Sequence, residues 1–221
     1  MPFLNCAVFL GMANFSFYRA PGLIIILAFC FFSNFAQDAD ALKEIADHRH
    51  KQDATFRDAT KTPLLPKDRK KFKGLNYFPV DLKYRVKAKF IKNDNPVFFK
   101  MKTTTTRLPE YVKYGEVHFI LDGEPFQLEV YQSPEISQRP GYSDYLFIPF
   151  TDLTNGETTY DVGRYLEFRI PASEEVIIDF NQAYNPYCSY SPNYSCPIPP
   201  EANQLHVAIL AGEKKFKKKG H

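Results

Sequence analysis

The sequence predicts a mainly β fold, an antiparallel β barrel or sandwich preceded by an N-terminal amphipathic helix. Three observations lead to this prediction. From Tyr77 onward, apolar and polar residues alternate with a period of two, as they do in half-buried strands. Turn signals such as Asp122-Gly123 separate these segments at hairpin spacing. No helical pattern that could serve as a parallel crossover lies between them, so the sheet is expected to be antiparallel.

Residues 1–36 have the pattern of a secretory signal peptide. Arg19 precedes an apolar run over residues 23–32, and small residues lead to Ala36, where we place the cleavage site. The run is shorter than the ~20 apolar residues of a membrane span, so none is expected after cleavage. Met12 is an alternative start that gives a signal of more usual length, and an uncleaved N-terminal anchor is the alternative interpretation. We therefore expect an exported protein, either periplasmic or secreted.

The balance of basic and acidic residues bears on whether the protein binds nucleic acid. The chain has 28 basic and 25 acidic residues, a net charge of +3, which is close to neutral for its length. Nucleic-acid-binding domains usually carry a strong basic excess, so this class is not expected here. Without residues 1–36, the length suits a helix over residues 37–60 and one β-rich domain over residues 61–221.

The helix predicted over residues 37–60 has a thin apolar stripe and charges elsewhere, which is typical of a helix lying on a larger body. The stripe consists of Leu42, Ile45, Ala46 and Phe56. His48 and His50 are two positions apart and face different sides of a helix, so we interpret them as solvated residues.

The β-rich domain is predicted to contain a series of short strands. The clearest is residues 83–90, where Tyr84, Val86, Ala88 and Phe90 alternate with cations. The other predicted strands are residues 97–101, 114–121, 126–131, 145–150, 158–160, 164–170, 176–180 and 205–210. Residues 152–156 are predicted to form a turn in which Gly156 takes a positive φ.

The loop of residues 180–203 contains five prolines, four asparagines and four tyrosines, so it combines little backbone freedom with many hydrogen-bonding groups. It also contains Cys188 and Cys196. In an exported protein these two are predicted to form a disulfide that staples the loop. Free thiols and a metal pair are the alternatives. No histidine lies at a spacing that would complete a zinc site, so no metal is predicted.

The sequence has no strong enzymatic motif: no phosphate-binding glycine loop, no zinc-binding helix and no nucleophile elbow. The candidates for function are therefore polar residues in turns. A guanidinium suits a carboxylate or phosphate, and asparagine amides bind carbonyl groups or satisfy a loop backbone. The predicted ligand-binding residues are Arg107, Asp152, Arg164, Asn181, Tyr184, Asn185 and Asn203. Arg164 is expected to pair with Asp152 or Asp179, or to face a ligand. Candidates for acid–base catalysis are Asp152, Glu201 and Glu213.

Several of these residues belong to longer motifs. They include Asp152-x-Thr154-Asn155-Gly156, Gly163-Arg164-Tyr165, Asp179-Phe180-Asn181, Ala183-Tyr184-Asn185-Pro186-x-Cys188, Cys196-Pro197-x-Pro199-Pro200 and Ala211-Gly212-Glu213-Lys214. On these motifs the chain resembles the bacterial family of domains of unknown function known as DUF1684, over about residues 60–216. The resemblance implies one organised domain. It implies no activity, substrate or cofactor.

The sequence therefore leads to three hypotheses of function. The first is an exported protein that binds a small polar or anionic ligand in a pocket beside the 180–203 loop. The alternatives are a carboxylate-dependent hydrolase and a structural or interaction module of the cell envelope. No cofactor is predicted, and no oligomeric state follows from the sequence.

Overall fold

A computed structural model describes the backbone of residues 21–216 and the side chains of residues 37–216. The predicted signal peptide lies largely outside the described residues, and its cleavage stays a prediction. The chain divides into two compact units, Met1–Ala39 and Asp40–His221. The sheet and the candidate site both belong to the second unit.

The second unit is built on one seven-stranded antiparallel sheet. Its strands are β1 (Arg85–Lys92), β2 (Phe98–Lys100), β3 (Glu110–Leu121), β4 (Glu124–Gln132), β5 (Tyr145–Phe150), β6 (Arg164–Arg169) and β7 (Glu175–Asp179). The order in the sheet is β6-β5-β4-β3-β1-β7, and β2 pairs with β3. The α-helices of the described residues are α1 (Pro21–Arg57), α2 (Pro66–Arg69) and α3 (Pro134–Ser137).

The main hydrophobic core is formed by alternate residues of these strands. In β1, Val86, Ala88 and Phe90 are buried and the residues between them point outward, as the period-two pattern predicts. They pack with fully buried residues of the neighbouring strands, such as Val117 and Leu128. Burying apolar side chains of this kind contributes about 1.5–3 kcal/mol each, so the alternation fixes which face of the sheet turns inward.

The sheet is curled into a half-barrel. Its two ends, β6 and β7, are not hydrogen-bonded to each other. A cavity of about 290 Å³ is lined by residues of both strands, together with Glu44 and His48 of α1 and Arg85 of β1. The prediction of a mainly antiparallel β fold with an N-terminal helix is confirmed. The finer alternative of a closed barrel or a sandwich is not: one curled sheet forms this domain.

The described part of α1 contacts the β-rich domain through few apolar residues. Ile45 is fully buried and Phe56 is 2% exposed, whereas Leu42 remains 47% exposed. Phe56 joins a small separate core with Leu64 and Tyr190. The apolar stripe read from the sequence is therefore only partly used.

Two predicted strands, residues 158–160 and 205–210, do not form. The second has the composition of a strand, but its backbone groups bond to side chains and to a loop. Ile209 donates to Asp152 Oδ1 at 3.3 Å and accepts from Arg164 at 2.9 Å, and Leu205 donates to the carbonyl of Thr151 at 2.8 Å. Because these partners replace a strand ladder, the segment does not join the sheet.

Candidate functional site

The 180–203 loop is fixed at both ends by asparagine side chains. Asn181 accepts from the backbone N–H of Asp81 at 3.1 Å and donates to its carbonyl at 2.9 Å. Asn203 makes the same two-way contact with the backbone of Glu129, at 2.7 and 2.9 Å, and also donates to the carbonyl of Pro149 at 2.7 Å. Both asparagines are fully buried. Asn203 therefore holds the loop against β4 and β5, and Asn181 holds it to the segment that precedes β1.

Cys188 and Cys196 are free thiols in the structure, so the predicted disulfide is not formed there. The two residues are nonetheless in contact, because the backbone N–H of Cys188 donates to Sγ of Cys196 at 3.2 Å. The neighbouring Cys196 thiol lowers the pKa of Cys188 to about 6, and the same interaction raises the pKa of Cys196. A hydrogen bond between Cys188 and Cys196 thus connects the two parts of the loop where the sequence predicts a disulfide.

Arg164 and Asp152 form a buried ion pair, at 2.8 Å, in which both side chains have no exposed surface. Arg164 also donates to the carbonyls of Ile209, at 2.9 Å, and of Ala211. The preceding Gly163 has a φ of +122°, and a Cβ there would lie 2.6 Å from the carbonyl oxygen of Phe150. A residue with a side chain does not fit at this position.

The pairing of Arg164 answers one of the alternatives raised by the sequence. Asp152, and not Asp179, is its partner, and Asp179 instead pairs with Arg85 at 3.1 Å. A buried guanidinium is costly unless it is paired and hydrogen-bonded, and this one is. We refer to Arg164, Asp152 and the backbone of residues 209–213 as the Arg164 network.

Glu213 is a buried carboxylate with an unusual environment. It is 2% exposed, and it accepts from the backbone N–H of Asn185 at 2.9 Å and from the hydroxyl of Tyr190. Burial raises the pKa of Glu213 to about 7, although these hydrogen bonds act in the opposite direction. The amide Oδ1 of Asn185 is buried without a hydrogen-bond partner, which is rare in a native structure.

The three carboxylates proposed for acid–base chemistry do not share one cavity. Asp152 is enclosed in the Arg164 network, and Glu201 is exposed on the surface. Of the three, Glu213 alone lines a cleft. A carboxylate pair working across one substrate is therefore not formed by these residues.

Beside the 180–203 loop lies a cleft of about 440 Å³, which we call the tyrosine cleft. Tyrosines from separate segments line it: Tyr111, Tyr142, Tyr145, Tyr165, Tyr184, Tyr187 and Tyr194. Several of these rings meet edge to face: Tyr165 and Tyr184 have centroids 5.9 Å apart, and Tyr187 and Tyr194 have centroids 5.2 Å apart. Such a volume is within the usual range for a small-molecule site.

Charged side chains also line the tyrosine cleft. Glu135 lies 2.9 Å from Arg139 and 4.0 Å from Arg107, so one carboxylate is shared by two guanidinium groups. Glu167 of β6 lines the same cleft. Within the described residues, no hydrogen bond or ion pair holds its carboxylate. The lining therefore contains two guanidinium groups that share one carboxylate, and another carboxylate, that of Glu167, without an ion-pair partner among the described residues.

The predicted ligand-binding residues fall into two groups. Arg107, Tyr184 and Asn185 line the tyrosine cleft, and Glu213 of the catalytic candidates does so as well. The others do not line it and instead make internal hydrogen bonds: Asp152, Arg164, Asn181 and Asn203. Sequence reasoning missed six of the cleft tyrosines together with Glu135, Arg139 and Glu167. The only signal for these tyrosines was the high tyrosine content, 14 in the whole chain.

Two further properties of the described residues bear on the site. Across residues 21–216, no helix has the length and hydrophobicity to cross a membrane. Within the same part of the chain, no group of three or more His, Cys, Asp and Glu side chains is arranged to hold a metal ion.

The fold and the cleft define a β domain with a single sheet and one loop, residues 180–203, that is held in place by hydrogen bonds at both ends. The chain belongs to the DUF1684 family of proteins of unknown function, whose pattern matches residues 70–214. It is similar to an uncharacterized protein of Haloarcula marismortui whose structure was solved by NMR in solution. The identity is 34%, the TM-score is 0.66, and the match covers 84% of this chain and 99% of that one. No curated protein matches the chain.

Proposed function

We propose that the protein binds a small polar ligand in the tyrosine cleft. The observation that carries this proposal is the cleft itself: about 440 Å³ beside the fixed 180–203 loop, lined by seven tyrosines and by charged groups. Concave sites with aromatic walls and a few convergent polar groups are the usual form of small-molecule sites.

The lining favours a ligand with a flat face and an anionic group. Tyrosine rings offer apolar faces for a ring, and their hydroxyls offer hydrogen bonds at its edge. Arg107 and Arg139 share one carboxylate, that of Glu135, so this part of the lining keeps one net positive charge. A guanidinium fork suits a carboxylate or phosphate.

The anchoring of the loop supports a preformed site. Asn181 and Asn203 hold its two ends, and Tyr184 pairs through its backbone with Tyr165 of β6 at 2.9 and 3.0 Å. A wall held in this way loses little conformational entropy on binding.

The proposal is tested by titrating ¹⁵N-labelled protein with a library of small water-soluble compounds that includes benzoate. Binders are expected to shift the amide signals of Tyr184, Asn185, Tyr187 and residues 194–196. Replacing Tyr184 by Leu should weaken binding about tenfold, whereas the control Tyr114→Leu, which removes a half-buried ring outside the cleft, should not. Shifts confined to other regions, or equal losses in both variants, would count against the cleft.

A second function, hydrolysis, is favoured by one observation. Glu213 lines the cleft with a pKa raised to about 7 by burial, and a group of that pKa is suited to general acid–base catalysis near neutral pH. A panel of chromogenic esters and glycosides tests this function. It requires turnover by the wild-type protein that is lost in Glu213→Gln. Turnover that persists in the variant would exclude Glu213 from the reaction.

We also propose that the protein is exported, with cleavage after Ala36, and that Cys188 and Cys196 then form a disulfide. The apolar run of residues 23–32 and the contact between the two cysteines support these steps. Mass spectrometry of the unreduced protein from an exporting host tests both. The expected chain begins at Gln37 and lacks the two thiol hydrogens. A full-length chain would contradict export, and a fully reduced mature chain would contradict the disulfide.

A further inference from the structure

We infer that the ligand of the tyrosine cleft carries an organic ammonium group, which is held by Glu167 and the surrounding tyrosine rings. The inference rests on the proposed function and makes it more specific. Together with the anionic group expected at Arg107 and Arg139, it describes a zwitterionic ligand.

The first observation is the state of Glu167. Its side chain is on β6, is exposed, and lines the cleft, and no described residue pairs with its carboxylate. Glu135, in contrast, contacts two arginines. A free carboxylate in the wall of a cavity has its charge available for a cationic ligand.

The second observation is where the charge of Glu167 acts. The pKa values of Tyr145, Tyr184 and Tyr187 are all raised, first by burial and also by the negative charge of Glu167. The charge of Glu135 instead acts on Tyr111, beside Arg107. The anion and the excess cation therefore act on different tyrosines, which gives the lining two charged parts.

The third observation is the arrangement of the rings. Tyr165 and Tyr184 meet at 89°, and Tyr187 and Tyr194 at 72°, so in each pair the edge of one ring packs on the face of the other and the cleft is lined by rings in two orientations. The face of an aromatic ring attracts a cation, and cages of tyrosine rings are a known way to bind ammonium groups. The chain already uses this property nearby, because the guanidinium of Arg169 lies 5.7 Å from the Tyr142 centroid and 5.4 Å from that of Tyr145.

The fourth observation is the excess of acceptors among the buried polar groups of the lining. Asn185 is 1% exposed and its Oδ1 has no partner, and the adjacent Glu213 presents a carboxylate. While Glu213 is ionised, both groups are acceptors, so neither can satisfy the other. In that state a ligand N–H would supply the missing donor.

Matched pairs of small probes test the inference. Choline is compared with its neutral isostere 3,3-dimethyl-1-butanol, and benzylamine with benzyl alcohol, each titrated into the ¹⁵N-labelled full chain at low salt. The cation of each pair should bind roughly tenfold more tightly, with amide shifts at Tyr184, Asn185, Tyr187 and residues 194–196.

Variants assign the preference to Glu167. Glu167→Gln should reduce the cation preference several-fold while leaving the neutral probes unchanged. Glu175→Gln, which removes an exposed carboxylate on β7 outside the cleft, should keep the wild-type preference. An unaltered NMR spectrum away from the cleft shows that each variant is folded.

The outcomes separate this inference from the proposed function. If the neutral probes bind in the cleft as tightly as the cations, or if Glu167→Gln keeps the preference, the ammonium inference is wrong and cleft binding stands. If neither these probes nor benzoate shift the cleft residues, the proposed function fails as well.

Discussion

The Arg164 network and the tyrosine cleft both contain arginine and acidic side chains, but they differ in whether all of these charged side chains are paired. In the network, both charged side chains have no exposed surface and each has several partners. In the cleft, Glu167 has no partner among the described residues, and Asn185 has a buried oxygen without a hydrogen bond. Both sets contain an arginine and an acidic residue, so residue type alone does not separate them.

The difference indicates different roles. A buried charge that is paired and enclosed by the fold is not accessible to a ligand, and its removal costs stability. A group that the fold leaves unpaired in a cavity adds little to stability, and it is available to a ligand. Substitutions in the network should therefore change the free energy of unfolding, whereas substitutions in the cleft should change binding.

The largest effect is expected from Arg164→Met. It leaves Asp152 buried without its counterion and frees the carbonyls of Ile209 and Ala211. The free energy of unfolding should fall by about 3–5 kcal/mol, measured by urea denaturation. The double variant Arg164→Met/Asp152→Leu should recover part of this loss, because no lone charge remains. A loss under about 1 kcal/mol in the single variant would show that the network is not a structural element.

A smaller effect is expected from Asn203→Ala. The substitution removes three hydrogen bonds, two to the backbone of Glu129 and one to Pro149, and leaves those groups buried. The expected loss is about 2–3 kcal/mol. Asn193→Ala is the control in the same loop, because Asn193 is exposed and should change stability by less than about 0.5 kcal/mol. Equal effects of the two substitutions would contradict the conclusion that the hydrogen bonds of Asn203 hold the loop in place.

The sequence was most informative where structure is set by neighbouring residues. The alternation in residues 83–90 predicts β1 because side chains on a strand point to opposite faces, and the Asp152–Gly156 turn has the positive φ that Gly156 allows, 84°. Residues 205–210 were predicted as a strand because their composition is strand-like. Their backbone partners, Asp152 and Arg164, lie more than forty residues away in the chain.

The cleft shows the same limit for function. Tyr111, Tyr142, Tyr165 and Tyr194 come from separate parts of the chain, and only the folded chain brings them together. Each of these tyrosines also suits a buried strand or loop position by its residue type. Tyr184 and Asn185 are predicted as ligand-binding residues because they lie in the 180–203 loop, which is rich in proline, asparagine and tyrosine.

Glu213 provides a test of pH dependence at the border between the two regions. Its carboxyl pKa is about 7, above the usual 4.5, so between these values the folded state holds a proton that the unfolded state releases. The contribution of Glu213 to stability must therefore fall as the pH rises through this window. Between pH 5 and pH 8, the wild-type protein should lose about 2 kcal/mol relative to Glu213→Gln, by urea denaturation at each pH. Parallel pH profiles would mean that the carboxyl titrates normally.

The smallest effect on stability is expected from Arg107→Ala, and this variant most directly separates the two regions. Arg107 is half exposed and lies 4.0 Å from Glu135, and exposed ion pairs of this kind contribute about 0–1 kcal/mol. Stability should therefore change by less than about 0.5 kcal/mol, as it should in the control Lys100→Ala, which breaks an equally exposed pair with Glu110 outside the cleft.

Binding should distinguish the same two variants. Arg107→Ala should weaken benzoate binding roughly five- to tenfold, because the variant loses the net positive charge shared around Glu135, whereas Lys100→Ala should leave it unchanged. Isothermal titration at low and high salt measures this, and the difference should shrink at high salt if it is electrostatic. The opposite result would be that Arg107→Ala unfolds the protein and that the folded fraction keeps its benzoate affinity. In that case Arg107 is a structural residue, and the assignment of the cleft residues to binding is wrong.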